Sequence, residues 1–252
     1  MSAAGVVVVH GRPPEFARCL ASLAPQVDEL VVVANHPGAS PPLPSGARLL
    51  ENERPRGFAA NVNRGVAATS LPFVVVANPD TEAAPDAVKI LHRFAADHPR
   101  CGIAGPQLRY PDGSWQPSRR RFPTISGTLV RRTPLRYVLR PERRQRSHYL
   151  LDERPQGPVQ ADWMLGAFLL LRREMLEELG GFDERFPLYG EDIDLCYRAA
   201  KGGWERWYVP EAVVTHRYAA VIDRRFLTAH TLHHWRGVAR FVRKHPERLR
   251  AL

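Results

Sequence analysis

Four short clusters in this 252-residue chain carry side chains suited to chemistry. The first is Asn78-Pro79-Asp80, directly after the apolar run Phe73 to Ala77. A carboxylate delivered by the carboxyl end of a buried strand can hold a divalent cation that bridges a diphosphate. The same aspartate would equally serve as a turn residue or helix cap ahead of Thr81 and Glu82. The second cluster is Tyr189-Gly190-Glu191-Asp192-Ile193-Asp194-Leu195. Acidic residues at a helix start complement the helix dipole. One of them within hydrogen-bond reach of a hydroxyl would be a general base. Successive helical residues are turned by ~100°, so Glu191, Asp192 and Asp194 cannot share one direction and at most two reach a cleft.

The third cluster runs from Glu51 to Gly65, where Gly57 opens a helix whose free backbone N–H groups can receive phosphate. Asn61 and Arg64 project from its first turns. Neither a Walker loop nor a Gly-x-Gly-x-x-Gly pattern is present, and an ordinary surface helix with polar caps fits the same residues. The fourth is His216, which ends the short run Val213-Val214-Thr215. It is either a structural histidine or a neutral imidazole completing a metal site with Asp80.

Elements of two periods must position these groups. Val6 to His10, Leu30 to Ala34, Arg48 to Glu51 and Phe73 to Ala77 read as strands. Pro14 to Leu23, Phe58 to Ala68 and about Pro85 to Ala96 read as helices. This alternation predicts a doubly wound α/β fold. Beyond Gly102 the rhythm changes. Tyr110-Pro111-Asp112-Gly113 is a turn, Ala161 to Arg172 a strand, and Glu174 to Leu179 and Ile193 to Ala200 are helices, each followed by a Gly-Gly pair. Trp207 to Val209 and Val213 to Thr215 read as short strands, and Phe226 to His245 as an amphipathic helix. One face of that helix carries Leu227, Trp235, Val238 and Val242, the other Arg236, Arg240, Arg243 and Lys244.

Charge is unevenly spread. The net +10 has +9 in Pro117 to Arg146 and +7 from Arg217 onward, which leaves the remainder of the chain at −6. Two basic patches on a mildly acidic body seek phosphate. Nucleic acid is disfavoured, because only Phe122 and Tyr137 interleave with the arginines of the first patch, too few for base stacking. Pro117 to Arg146 shows neither period and is expected as a loop or short broken helices. No apolar run approaches the ~20 residues that span a bilayer, and the amino terminus does not read as a secretory signal. Three cysteines without metal-ligand spacing fit a reduced, cytoplasmic setting.

The order of the clusters is more specific than any one of them. Strand one, the Gly57-to-Arg64 helix and Asn78-Pro79-Asp80 come first, then Gly181-Phe182-Asp183-Glu184-Arg185-Phe186. Tyr189-x-Glu191-Asp192-x-Asp194-Leu195-Cys196-x-Arg198, Gly203-Trp204 and His216 complete the series. It resembles the family 2 glycosyltransferases of the GT-A fold, in particular their rhamnosyltransferase-like branch, over roughly residues 5 to 245.

That resemblance implies an α/β, Rossmann-like GT-A fold with a mixed, mainly parallel central sheet and a carboxy-terminal amphipathic helix. It implies a single domain over 1–252, with 1–100 as the nucleotide-sugar half and 101–225 as the acceptor and catalytic half. The Arg-rich loop 117–146 lies in that second half, and 226–252 forms the basic helix. Asp192 would be the catalytic base with Glu191 beside it. Val9, His10, Asn35, Gly57, Phe58, Asn61, Arg64, Asn78 and Asp80 would bind the nucleotide sugar. Trp163, Gly166 and Ala167 would border the acceptor cleft. Asp80 and His216 would hold Mg²⁺ or Mn²⁺. The implied activity is inverting transfer of a sugar, with dTDP-rhamnose as the expected donor, to a glycan or lipid-linked acceptor in surface polysaccharide synthesis. The basic patches would rest on anionic membrane. A non-catalytic scaffold on the same fold is the alternative.

Overall fold

The computed structural model describes residues 2–11, 13–38, 42–122, 150–186, 188–217 and 229–249, with side chains in the last span from Arg236 to Glu247. The expectations for the Arg-rich stretch beyond Phe122, for Phe226 and Leu227, and for the Trp235 side chain lie outside these residues.

The amino-terminal half follows its periodicity closely. Its elements are β1 (Ala3–Val9), α1 (Phe16–Leu23), β2 (Glu29–Ala34), β3 (Arg48–Glu51), α2 (Phe58–Ala67), β4 (Phe73–Ala77), β5 (Thr81–Ala83) and α3 (Ala87–Asp97). β1 starts earlier than expected, because Ala3 and Ala4 are as buried as the valines that follow. Alternate β1 residues serve opposite faces. Val7 and Val9 pack with Phe16 and Leu20 of α1 and Leu91 of α3, while Val6 and Val8 pack with Val62 of α2. A strand covered on both faces is apolar throughout, hence the uninterrupted valine run.

The second half contains β6 (Cys101–Arg109), β7 (Trp115–Gln116), β8 (Arg119–Arg120), β9 (Val159–Gln160), β10 (Trp163–Met164) and β11 (Phe168–Arg172). It continues with α4 (Arg173–Leu179), α5 (Glu191–Lys201), β12 (Glu205–His216) and α6 (Ala229–Lys244). Three expectations are corrected here. The run Ala161 to Arg172 is two strands, interrupted where Leu165 N–H bonds to Ser118 and Asn78 N–H bonds to the Ala167 carbonyl. The two short strands after Gly203 are one, β12, whose ladder slips between Val209 and Val213, around Pro210, which has no N–H to donate. Finally, Arg119 and Arg120 are not loop but strand, paired with Met164 and Trp163.

The main sheet has the order β3-β2-β1-β4-β11-β6-β12-β5, and its longest ladders are parallel. Strands β1 to β4 are parallel, so their carboxyl ends share one edge. β11 runs antiparallel to β4, which brings its amino end, Gly166-Ala167, to that same edge. β6 is antiparallel to β11 and β12 parallel to β6, so His216 also arrives there. Strand direction alone therefore collects His10, Asn35, Asp80, Gly166 and His216 along one edge of the sheet.

Candidate functional site

Asn78-Pro79-Asp80-Thr81 is a β-turn, with Thr81 N–H bonded to the Asn78 carbonyl at 3.2 Å and proline in its favoured second position. The Thr81 hydroxyl (2.7 Å) and the Cys19 thiol (3.4 Å) donate to the same carbonyl. Beyond the turn, β5 pairs with β12 so that Thr81 faces His216, and Arg217 N–H bonds to the Asp80 carbonyl at 3.0 Å. This pairing sets His216 Nε2 3.6 Å from Asp80 Oδ2. The other imidazole nitrogen, Nδ1, lies 3.0 Å from Gln116 Oε1. A proton on Nδ1 donated to that oxygen leaves the Nε2 lone pair directed toward Asp80. Burial lowers the His216 pKa against the opposing charge of Asp80, which favours the neutral imidazole that ligates metals. One carboxylate oxygen and one neutral imidazole suit Mg²⁺ or Mn²⁺ when diphosphate oxygens and water complete the shell.

The second group is built on the start of α5. Asp192 Oδ2 accepts the Gly166 N–H at 3.1 Å, and Asp192 Oδ1 accepts the Ile193 N–H at 2.8 Å. A Cβ on Gly166 would stand 3.2 Å from the Asp192 Cβ, so any larger residue there would push on Asp192. Burial raises the Asp192 pKa, and these two N–H groups together with the Arg120 charge oppose the rise. Arg120 rests with its guanidinium carbon 5.1 Å from the Trp163 ring centre. Glu191 has only its own backbone N–H to oppose the same rise. Its Oε2 is buried with no hydrogen-bond partner among the described residues, and burial, reinforced by Asp192, pushes its carboxyl up to about 8. Burial thus raises both adjacent carboxyls, and Asp192 has the Gly166 and Ile193 N–H groups and the Arg120 charge set against that rise. Asp194 is engaged elsewhere, with Arg198 Nε at 2.7 Å, Lys244 Nζ at 2.8 Å and His245 Nε2 at 2.9 Å.

Gly166 and Ala167 join the two groups. Gly166 holds Asp192, and the Ala167 carbonyl accepts the Asn78 N–H at 2.8 Å, so neighbouring residues support Asp192 and the Asp80 turn. Trp163 is 4% exposed and donates its indole N–H to the Arg121 carbonyl at 2.8 Å. It is therefore buried, with the Arg120 guanidinium over its ring.

The expected nucleotide-binding residues divide in the same way. Asn35 and Asn61 are fully buried. The Asn35 side chain pairs with both backbone groups of Arg56, and its oxygen also receives the amides of Asn52 and Asn61 at 2.9 and 2.8 Å. The Asn61 oxygen accepts from Asn52 at 2.6 Å. Arg64 donates to the Glu51 carbonyl at 2.9 Å and to Asn52 Oδ1. These side chains fix the segment from Asn52 to Gly57 rather than facing outward. Val9 has its side chain in the core and receives the Asn35 N–H on its carbonyl. His10 is exposed, 2.6 Å from the Asn35 amide nitrogen, and Gly57 and Phe58 are half-buried at the start of α2.

Sequence reasoning missed four participants. Asn52 lies inside a quoted motif, but its role depends on a strand and a helix on either side of it. Gln116 sits in a two-residue strand with no period to announce it. Arg120 was counted only as charge. Lys244 was placed on the polar face of α6, whereas its ammonium reaches Asp183 Oδ2 at 2.6 Å as well as Asp194.

The sequence model described as Glycosyltransferase like family 2 matches residues 25–232. An N-acetylglucosaminyl-diphospho-decaprenol L-rhamnosyltransferase of Mycobacterium tuberculosis is 34% identical over 256 residues, covering 91% of this chain and 80% of that protein. Among solved structures, GalNAc-T7 with UDP, GalNAc and Mn²⁺ superimposes at a TM-score of 0.67 with 16% identity over 96% of this chain. The mannosyltransferase PcManGT of Pyrobaculum calidifontis, in complex with GDP-Man and Mn²⁺, gives 0.62 with 17% identity over 98%. The chain spans 48% of the first of these two structures and 64% of the second. With that fold, and with the length of its match to the family, this chain belongs to glycosyltransferase family 2 and carries the GT-A fold.

Proposed function

We propose that this chain is a metal-dependent inverting rhamnosyltransferase that takes L-rhamnose from dTDP-rhamnose and delivers it to a sugar on a polyprenyl diphosphate. The observation that carries the reading is the Gly166-Ala167 bridge, which sets one supported carboxylate, Asp192, beside the turn that presents Asp80 to His216. The choice of sugar and acceptor rests on similarity to the mycobacterial rhamnosyltransferase.

In this mechanism Asp192 accepts the proton of the acceptor hydroxyl as that oxygen attacks the anomeric carbon from the face opposite the diphosphate. The Gly166 and Ile193 N–H groups keep the carboxylate aimed during the transfer. Neutral Glu191 adds no second negative charge beside it. Asp80 and His216 would hold the divalent cation, whose contribution is to neutralise charge on the departing diphosphate. The buried amides of Asn35, Asn52 and Asn61 keep the Gly57 end of α2 in place for the donor.

The protein is proposed to work against the cytoplasmic face of the membrane. Among the described residues no helix is long and apolar enough to cross a membrane. Arg236, Arg240 and Arg243 form an exposed row on α6, and each such residue near an anionic surface contributes ~1 kcal/mol. Flotation with phosphatidylglycerol vesicles at low salt tests this contact, and failure to float removes it.

The donor site is tested by thermal shift with dTDP, UDP and GDP, with and without Mn²⁺, on wild type and Asp80→Ala. A ligand at 100 times its Kd adds ~2.7 kcal/mol of stability. A metal-requiring shift with dTDP that vanishes in the variant supports the reading. The absence of any metal-dependent shift overturns it in favour of the non-catalytic alternative.

A further inference from the structure

We propose that α6 is the positioning element of the catalytic base, acting through a clasp formed by Lys244 and His245 on Asp183 and Asp194 and through backbone packing of Gly237 on the turn before Asp192. The proposal rests on the reading of Asp192 as the base.

The turn that launches α5 is conformationally demanding. Tyr189 and Gly190 are both left-handed, with φ of 68° and 95°, and Asp192 is the second residue of the helix that follows. Left-handed backbone at a bulky tyrosine persists only where surrounding structure holds it. Gly237 of α6 supplies one such hold. A Cβ at that position would overlap the Tyr189 carbonyl oxygen, so the α6 backbone lies directly on the turn. From the other side the fully buried Phe186 ring packs on Gly190, where an added Cβ would stand 3.2 Å from the ring.

At its far end α6 grips both flanks of the same segment. Lys244 Nζ joins Asp183, which precedes the turn, at 2.6 Å and Asp194, which follows it, at 2.8 Å. His245 Nε2 adds a contact to Asp194 at 2.9 Å. Arg198 Nε takes the remaining Asp194 oxygen at 2.7 Å, while its other nitrogens donate to the Leu179 and Gly181 carbonyls at 2.9 Å. Arg185 also engages Asp183, at 2.7 Å. Tyr197 packs between Phe241 and His245, with ring centres 5.6 and 4.6 Å away. Asp192 thus sits between two points fixed by one helix. Asp194, chemically like Asp192 and two residues beyond it, serves to hold that helix.

The test uses Gly237→Ala, which intrudes on the Tyr189 carbonyl, and Lys244→Met, with Lys244→Arg as the conservative rescue. The readout is exchange of the Gly166 amide hydrogen, whose acceptor is Asp192, followed by NMR beside the Val6, Val7 and Val8 amides of the core. Expected is at least a tenfold acceleration at Gly166 in both variants with the core amides within twofold, and return toward wild type in Lys244→Arg. Turnover of dTDP-rhamnose should fall at least tenfold with dTDP–Mn²⁺ affinity within twofold. Gly166 exchange that moves no more than the core amides, in both variants, overturns the proposal, because a merely structural helix would act on all amides alike. Asp192→Asn is measured in parallel. If it retains turnover, the base assignment fails, while the exchange data still report whether α6 places this residue.

Discussion

Neutralising Glu191 gives the sharpest test of how the site is charged. Glu191 is 8% exposed, its Oε2 meets no hydrogen-bond donor among the described residues, and Asp192 is its immediate neighbour. The folded protein therefore keeps the Glu191 proton up to about 8, whereas the unfolded chain releases it near the ordinary 4.5. Between those values the folded state binds the extra proton, so its stability falls as pH rises and is lost at ~1.4 kcal/mol per pH unit through the middle of the interval. From pH 5 to pH 7.5 this amounts to ~3 kcal/mol. Glu191→Gln keeps the size of the side chain and removes the proton equilibrium. Urea unfolding of wild type and variant at pH 5, 6, 7 and 7.5 should show the wild type losing ~3 kcal/mol relative to the variant, or ~6–12 °C in Tm for a chain near this size. A difference that stays flat within ~0.5 kcal/mol, or that changes in the opposite direction, refutes a neutral Glu191. The division of roles between the two adjacent carboxyls would then fall with it.

Three further outcomes follow from the same geometry. Asp192→Asn should lower kcat by ~10²–10⁴-fold while dTDP–Mn²⁺ affinity by calorimetry stays within twofold, because the proposed mechanism has this residue act on the acceptor hydroxyl and not on the nucleotide. Gln116→Leu should weaken Mn²⁺ binding in the presence of dTDP by ~10–100-fold, since His216 Nδ1 loses the oxygen that orients it; a titration by thermal shift reads this directly. Asn52→Ala removes a donor to the side-chain oxygens of Asn35 and Asn61 and the Oδ1 acceptor of the Arg64 guanidinium, and chemical denaturation should show a loss of ~1–3 kcal/mol together with weaker dTDP binding.

Most of the fold was legible where local chemistry and tertiary environment agree. Phe73 to Ala77 is apolar at every position because β4 lies between β1 and β11 with both faces covered, and its limits match the sequence reading. α1 was legible from Phe16, Leu20 and Leu23 at helical spacing, all three buried. The edge strand β5 was not legible. It has three residues, and its partner β12 lies far along the chain. The break before β11 was hidden for a similar reason, since the Ser118 and Asn78 backbone groups that end the ladder belong to other segments. The family resemblance assigns Asn35, after a strand end, and Asn61, on the first turn of α2, to the nucleotide sugar. A buried amide must satisfy both its oxygen and its nitrogen, and here Asn52 and the Arg56 backbone already do so.

The three carboxylates of Glu191-Asp192-x-Asp194 show how far local sequence reaches. Helical geometry established that they diverge, yet their chemistry differs through partners that the local sequence does not contain. Glu191 Oε2 meets no donor among the described residues, and burial pushes its carboxyl up to about 8. Asp194 meets Arg198, Lys244 and His245, so its oxygens are committed and cannot accept from a substrate hydroxyl. Asp192 meets two N–H groups that aim it, and these with the positive charge of Arg120 oppose the rise that burial imposes on its pKa. A general base needs a charged oxygen that is oriented but uncommitted. Of the three, Asp192 alone is oriented yet uncommitted, so hydrogen bonding supports the same residue that the family pattern puts forward as the base.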